Sequence, residues 1–283
     1  MTGRNRSEGW QHAKLSGHKN EDIIESLLLN DMRSQSDFLS RIGIRGVRIS
    51  RITGGGIGER QVPSVLASGD LTTPKTDMYL YLDDGTRINC SIKKSPGGQV
   101  YLVTVDNFID AYEGHFESMP AEIKRAIKLY WGGAPDIKDL LREHGKCADN
   151  YERKRQRLTG DSLKSYNESL YKGLIDWFQS NIGKVTELCF SRGAAANPED
   201  WADYVWYKNE LNENPLDAIF SIKDICEAAK RNSSLIFYRN RTHGSTIQMP
   251  FGFVQWHCPG WHLPGSLQFH HDYAMIKGII SNL

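Results

Sequence analysis

The amino-acid sequence predicts a mixed α/β or α+β protein with a central mixed sheet, flanking helices and helical insertions. Strand-like alternation of apolar and polar residues is concentrated near residues 47–105 and again after residue 234. Residues from about 111 to 182 instead carry apolar side chains at helical spacing. No clean boundary separates these parts, so we expect one domain over residues 1–283.

The first predicted helix covers residues 20–29, with Asn20 as its N-cap and apolar residues at helical spacing. A strand follows at 47–52, and residues 53–73 form a long loop that begins with a glycine-rich run. That run lacks the Gly-Lys-Ser/Thr ending of a P-loop and the Gly-x-Gly-x-x-Gly spacing of a dinucleotide site. It therefore does not predict nucleotide binding.

Residues 74–105 predict a hairpin and a third strand. Alternating large apolar residues at 78–82 lead into Asp83-Asp84-Gly85, a turn signal, and strands follow at 87–93 and 99–105. Because side chains two apart share one face of a strand, Ser91 and Lys93 point the same way. Asp77 opens the paired strand. A carboxylate, a hydroxyl and an ammonium group should therefore meet at one end of the sheet.

The remaining elements are predicted from the same periodicities. A helix containing Ile123 and Ile127 should end at Gly132-Gly133, and Asp161 should cap another helix that extends past Trp177. A third helix is predicted at 217–231. Short strands are predicted at 185–190, 203–208, 234–238, 246–256 and 266–270.

Composition limits the classes of protein. The 283 residues are 39% hydrophobic and contain no apolar run of membrane-spanning length, and the N-terminus does not resemble a secretion signal. Five dispersed cysteines without a Cys-x-x-Cys pair predict reduced thiols and a cytoplasmic location. A net charge of +1 argues against a protein that coats DNA nonspecifically, but local basic clusters leave sequence-specific binding open.

The segment Pro74-Lys75-Thr76-Asp77, followed 14 positions after Asp77 by Ser91-Ile92-Lys93, resembles the core of the PD-(D/E)XK nuclease superfamily. It is more closely similar to the MspI-type restriction endonucleases, which cut short GC-rich sites. Weaker similarities cover 17–22, 173–193 and 243–269. The usual acidic residue before x-Lys can be a polar amide in these enzymes, and Ser91 is a further departure.

The resemblance implies a restriction-endonuclease-like fold and a type II restriction endonuclease that hydrolyses DNA with Mg²⁺, for which Mn²⁺ can substitute. Asp77, Ser91 and the carbonyl of Ile92 would hold the metal, and Lys93 would orient the attacking water. A glutamate of the first helix approaches the metal in related nucleases. Glu21 matches that pattern better than Glu25, although a solvated helix acid is an equal alternative.

DNA recognition is assigned to polar side chains that suit base edges. Gln99 follows the catalytic strand and could enter the groove beside the scissile phosphate. The C-terminal part, about 234–271, supplies the other predicted DNA contacts: Arg239, Arg241, His243, Gln248, Gln255 and Gln268. Structural zinc is an alternative for the C-terminal histidines and Cys258, but no standard zinc spacing supports it.

Three function classes are compatible with the sequence. The chain is a Mg²⁺-dependent endonuclease for a GC-containing site of about four or five base pairs, a DNA-binding protein whose site is crippled by Ser91, or an unrelated soluble enzyme. A restriction role implies double-stranded DNA as partner and a companion methyltransferase in the host. A palindromic target would favour a homodimer, and no membrane partner is expected.

Overall fold

The computed structural model describes residues 6–54, 60–144, 157–211, 216–239, 245–257 and 265–281, with only the backbone of 6–16. Two helices precede the sheets: α1 (Arg6–Asn30) and α2 (Met32–Arg41). The predicted N-cap at Asn20 is wrong, because α1 begins at Arg6. Asn20 is buried, and its side chain donates to the Lys208 carbonyl and accepts from the Glu210 N–H.

The first sheet is mixed, as predicted, and has the strand order β1-β2-β3-β5-β6. The β3–β5 pair is parallel and its other neighbouring pairs are antiparallel. Its strands are β1 (Ile49–Gly54), β2 (Met78–Leu82), β3 (Arg87–Lys93), β5 (Tyr204–Lys208) and β6 (Asp217–Ser221). Helices α1 and α2 cover one face, where Ile24, Leu28 and Phe38 pack with Leu80 and Trp206.

A second sheet is antiparallel and has the order β4-β10-β9-β8-β7. Its strands are β4 (Gly97–Thr104), β7 (Phe237–Tyr238), β8 (Thr246–Met249), β9 (Gly252–His257) and β10 (Ser266–Asp272). The predicted single strand at 246–256 is two strands, separated by a turn at 250–251. Since β4 directly follows β3, the chain passes from the β2–β3 hairpin into this sheet.

Helices fill the crossover that the parallel β3–β5 pair requires. The crossover helices are α3 (Val105–His115), α4 (Ala121–Trp131), α5 (Ile137–His144), α6 (Gly160–Tyr166) and α7 (Glu168–Glu187). Two more helices follow later in the chain: α8 (Ile222–Arg231) after β6 and α9 (Tyr273–Ile280) after β10. Together with the second sheet they enclose the larger hydrophobic core, whose centre includes Phe108, Trp131, Phe178, Phe251 and Phe269.

Two of the predicted helices differ from the structure in their boundaries, and one ends as predicted. The helix predicted from Asp161 to beyond Trp177 is two helices, and Thr159 and Asn167 are their N-caps. The predicted helix at 217–231 starts at Ile222, with Ser221 as N-cap, because residues 217–221 form β6. The helix predicted to end at Gly132 does so, and that glycine has a φ of 107°.

The strand predicted at 185–190 is wrong. Helix α7 continues to Glu187, and residues Leu188–Arg192 form a π-helical turn. Cys90, Cys189 and Cys226 are buried free thiols, while Cys147 and Cys258 lie outside the described residues. In the part of the chain that the structure describes, no helix is both long and apolar enough to cross a membrane.

Candidate active site

Asp77 is held against β3 by a set of short hydrogen bonds. Its backbone N–H donates to the Cys90 carbonyl over 2.9 Å. Its carboxylate accepts from the Ile92 N–H at 2.6 Å and from the Ser91 hydroxyl at 3.1 Å, both through Oδ2. The carboxylate therefore has a defined orientation at the open end of the hairpin, where its side chain is 28% exposed.

Lys93 lies on the same face as Ser91, as the strand periodicity predicts. Its Nζ donates to Ser91 Oγ at 2.6 Å and to the Ile92 carbonyl at 3.2 Å, and it lies 3.7 Å from Asp77 Oδ2. The structure thus brings the three predicted residues into one hydrogen-bonded group. Their catalytic roles stay predictions.

The oxygen atoms of this group suit a hard cation. A carboxylate, a hydroxyl and a backbone carbonyl all face one positively charged atom, Lys93 Nζ. Oxygen ligands of these kinds are what Mg²⁺ binds in proteins, usually with several water molecules retained. Among the described residues, no group of three or more His, Cys, Asp or Glu side chains is placed to hold a metal. The donor set therefore fits a hydrated Mg²⁺. His243, Cys258 and His262, which belong to the zinc alternative, lie outside the described residues.

Glu21, on α1, is electrostatically coupled to this group. The pKa of Glu21 is raised to about 7, mainly by burial and then by the Asp77 carboxylate, with a smaller contribution from Asp22, while Lys93 acts in the opposite direction. His18 lies one helical turn before it, with Nδ1 3.5 Å from Glu21 Oε2. Of the two glutamates predicted on this helix, the structure associates Glu21 with Asp77 and Lys93.

Ionisation of Glu21 should destabilise the folded protein as the pH rises. The folded protein keeps this proton up to about pH 7, whereas a free glutamate loses it near 4.5. The free energy of unfolding therefore falls between these pH values. We expect Glu21→Gln to be more stable than the wild type at about pH 8, by at most about 3 kcal/mol. This advantage should disappear at about pH 4, where Glu21 is protonated in both states.

Thermal melting with a chelator present measures this effect, because bound divalent cations would stabilise ionised Glu21. Glu25→Gln, on the same helix, is the matched control for removal of a glutamate charge. An equal change of stability by Glu21→Gln at both pH values would show that the pKa of Glu21 is not raised in the folded protein.

Two further ionisable residues lie near Asp77 and Lys93: Lys75, two positions before Asp77, and His271, far along the chain. The pKa of Lys75 is lowered to about 7, mainly by burial. Lys93 also lowers this pKa, whereas Asp77 raises it. His271, on β10, is 4% exposed and shares a hydrogen bond of 2.8 Å between its Nδ1 and the Tyr207 hydroxyl. Burial lowers the pKa of His271 to about 3, with Lys93 as a further cause, so this imidazole is neutral.

Most of the predicted DNA contacts lie on one face of the second sheet. Gln255 Nε2 donates to Gln268 Oε1 at 2.9 Å, and Gln268 Nε2 donates to Gln99 Oε1 at 2.9 Å. Gln255 Nε2 also lies 3.3 Å from His270 Nε2. These side chains form a hydrogen-bonded row across β9, β10 and β4, and Gln99 is its exposed end.

Arg239 continues this face towards β7 and β8. Its guanidinium lies 4.4 Å from the centre of the Phe253 ring, which stacks on His270 at 4.4 Å. Its Nε donates to Gln248 Oε1 at 2.7 Å. Gln248 is only 9% exposed and also donates to the Met249 carbonyl. Its position therefore suits orienting Arg239 better than contacting a ligand directly. Arg241 and His243 lie outside the described residues.

Some of the contacts that the sequence analysis missed have a partial signal in the sequence. Lys75 lies within the segment that carries the family resemblance, yet the residue types alone assign it no contact. His18 and Glu21 are three residues apart, which places them on one face of a helix. Nothing local indicates the Tyr207–His271 contact, because those residues are 64 positions apart and come from different sheets.

A comparison with solved structures finds a distant similarity. No family model matches the sequence, and no curated protein matches it. Among solved structures, restriction endonuclease MspI in complex with its cognate DNA is similar, with a TM-score of 0.47 and 12% sequence identity. The match covers 83% of this chain and 76% of that one. The interpretation of the Asp77 site therefore rests on its own geometry.

Proposed function

We propose that this chain is a type II DNA endonuclease that hydrolyses phosphodiester bonds with Mg²⁺. The observation that supports the proposal best is the convergence of Asp77, Ser91 and the Ile92 carbonyl on Lys93. Lys93 Nζ lies within 3.7 Å of each of the other three groups that the PD-(D/E)XK resemblance implies, at an accessible end of the sheet. An accidental Asp…x-Lys pairing would not require this contact.

In this proposal the charge of each group determines its role. Asp77 Oδ, Ser91 Oγ and the Ile92 carbonyl would hold the metal, with Glu21 nearby. Mg²⁺ supplies charge neutralisation and lowers the pKa of the attacking water. Lys93 orients that water and stabilises the negative charge that develops on the phosphoryl oxygens. Ser91 replaces a carboxylate with a neutral ligand, so we expect millimolar Mg²⁺ to be required.

Recognition would take place on the second sheet. The side chains on this face carry amide and guanidinium groups, which are suited to base edges and phosphates. They belong to Gln99, Gln255, Gln268 and Arg239. Because β4 directly follows β3, a duplex on this face lies next to the catalytic end of the hairpin. The base sequence of the target, a methyltransferase partner and a dimeric state are further parts of the same proposal.

Cleavage of phage DNA tests the proposal. The protein is incubated with the DNA in Mg²⁺ or Mn²⁺, the fragment ends are sequenced, and binding is measured separately in Ca²⁺. Discrete fragments with one shared end sequence are expected. Specific binding without cleavage would favour the DNA-binding alternative, whereas no DNA affinity at low salt, where electrostatic attraction is strongest, would favour an unrelated enzyme.

A further inference from the structure

The residues immediately before Asp77 are anchored to two different parts of the fold. Thr76 is 1% exposed, and its hydroxyl donates to the Asp200 carbonyl at 3.0 Å, beside the start of β5. Lys75 points the other way. Its Nζ donates to the Val100 carbonyl, on β4, at 2.7 Å and lies 4.1 Å from the centre of the Tyr101 ring. Lys75 thus links the residues that lead into the catalytic hairpin to the second sheet.

The carbonyl that Lys75 contacts belongs to an irregularity in β4. Phe269 of β10 pairs with Tyr101, and the next residue, His270, pairs with Gln99, so Val100 is the extra residue of a β-bulge. A bulge bends the strand and re-aims the side chains beside it. Gln99, the exposed end of the glutamine row, is the neighbouring residue. The Lys75 contact therefore acts at the point that sets the direction of Gln99.

Packing alone does not explain a lysine at this position. Its stem fills a narrow space, since a Cβ added to Gly193 would lie 3.2 Å from Lys75 Cε. The amine lies at the Val100 carbonyl and the Tyr101 ring, and removing an amine from water to such a place has a free-energy cost. A methionine would fill a similar volume without desolvating a polar group. Lysine contributes what methionine cannot, which is the N–H donor to the Val100 carbonyl and the contact of its ammonium with the Tyr101 ring.

We propose that Lys75 is a positioning residue that holds the Gln99 strand in a fixed relation to Asp77. DNA bound on the second sheet then has its scissile phosphate aligned with Asp77 and Lys93. This inference rests on the proposed function and deepens it. It assigns to Lys75 the coupling between recognition and cleavage, without contact with the substrate.

Lys75→Met tests the inference, with Lys277→Met on the exposed surface of α9 as the matched control. We expect the single-turnover cleavage rate to fall about 10- to 100-fold, while DNA affinity in Ca²⁺ changes less than about threefold. Hydrogen exchange of residues 97–104 should become faster in Lys75→Met and not in the control, while the melting temperature stays close to that of the wild type.

The possible failures are distinguishable. If the wild type and Lys75→Met cut equally fast, the coupling role is wrong and the nuclease function stands. If the rate, the affinity and the melting temperature fall together, Lys75 is structural. If the wild type cuts no DNA, the proposed function is wrong, and unchanged exchange at 97–104 would additionally exclude the Lys75 anchor.

Discussion

Asp77→Asn is expected to reduce Mg²⁺-dependent DNA cleavage at least about a thousandfold. Asp77 supplies the carboxylate that the Ser91 hydroxyl and the Ile92 N–H both contact. Asparagine keeps the shape and can still accept the Ile92 hydrogen bond, so the hairpin should remain folded. The substitution removes the negative charge that a divalent cation requires at this place. Binding of the same DNA in Ca²⁺ should not become weaker, since a repulsive charge is lost.

Asp84→Asn is the matched control for this experiment. Asp84 lies in the turn between β2 and β3, at the other end of the same hairpin, and accepts from the Thr86 N–H at 2.8 Å. Asparagine can make the same contact, so this variant should cut at the wild-type rate. Single-turnover kinetics on one labelled target measure both variants. Cleavage by Asp77→Asn at a rate near that of the wild type would show that the metal site lies elsewhere.

Ser91→Ala should reduce cleavage less than Asp77→Asn does, although both residues belong to the same site. A water molecule can replace a neutral hydroxyl ligand, so the rate should fall about tenfold or less. The higher exposure of Asp77 than of Ser91, 28% against 1%, leaves room for that water beside the carboxylate. A loss as complete as that of Asp77→Asn would mean that the hydroxyl has an indispensable role, such as holding Lys93.

The hairpin of β2 and β3 was predictable because its signals are local. The turn at Asp83-Asp84-Gly85 fixes the register of β2 and β3, and period-two alternation then determines that Ser91 and Lys93 share a face. The π-helical end of α7 was not predictable in this way. The apolar residues there are all buried: Val185, Leu188, Cys189 and Phe190. A continuous apolar run of this kind is equally typical of a buried strand.

The arrangement around the hairpin depends on contacts between distant residues. Side-chain chemistry identified Gln99, Gln255 and Gln268 as candidates for base contacts, but their common row depends on the register of β10 with β4 and β9. That register includes a bulge at Val100, which no sequence pattern indicates. For the same reason, the Lys75–Val100 and Tyr207–His271 contacts become visible only in the folded chain.

Lys93→Met should also nearly abolish cleavage, by at least about a hundredfold. Methionine preserves the aliphatic stem on β3, where the Lys93 side chain is 19% exposed, so the sheet should fold normally. The variant lacks the ammonium that would orient water and stabilise the developing charge. Lys223→Met, on an exposed position of α8, is the control and should cut at the wild-type rate. Normal cleavage by Lys93→Met would remove Lys93 from the mechanism.

Lys93→Met and Asp77→Asn should differ in their response to a divalent cation, even though both are inactive. In Lys93→Met the ammonium that faces the oxygen atoms of Asp77, Ser91 and the Ile92 carbonyl is absent. Its positive charge therefore no longer repels an incoming metal ion. Ca²⁺ should therefore raise the melting temperature of Lys93→Met more than that of the wild type, and that of Asp77→Asn least. A smaller shift for Lys93→Met than for the wild type would show that these oxygens do not form the metal site. This measurement requires no cleavage, so it tests the metal ligands independently of the DNA target.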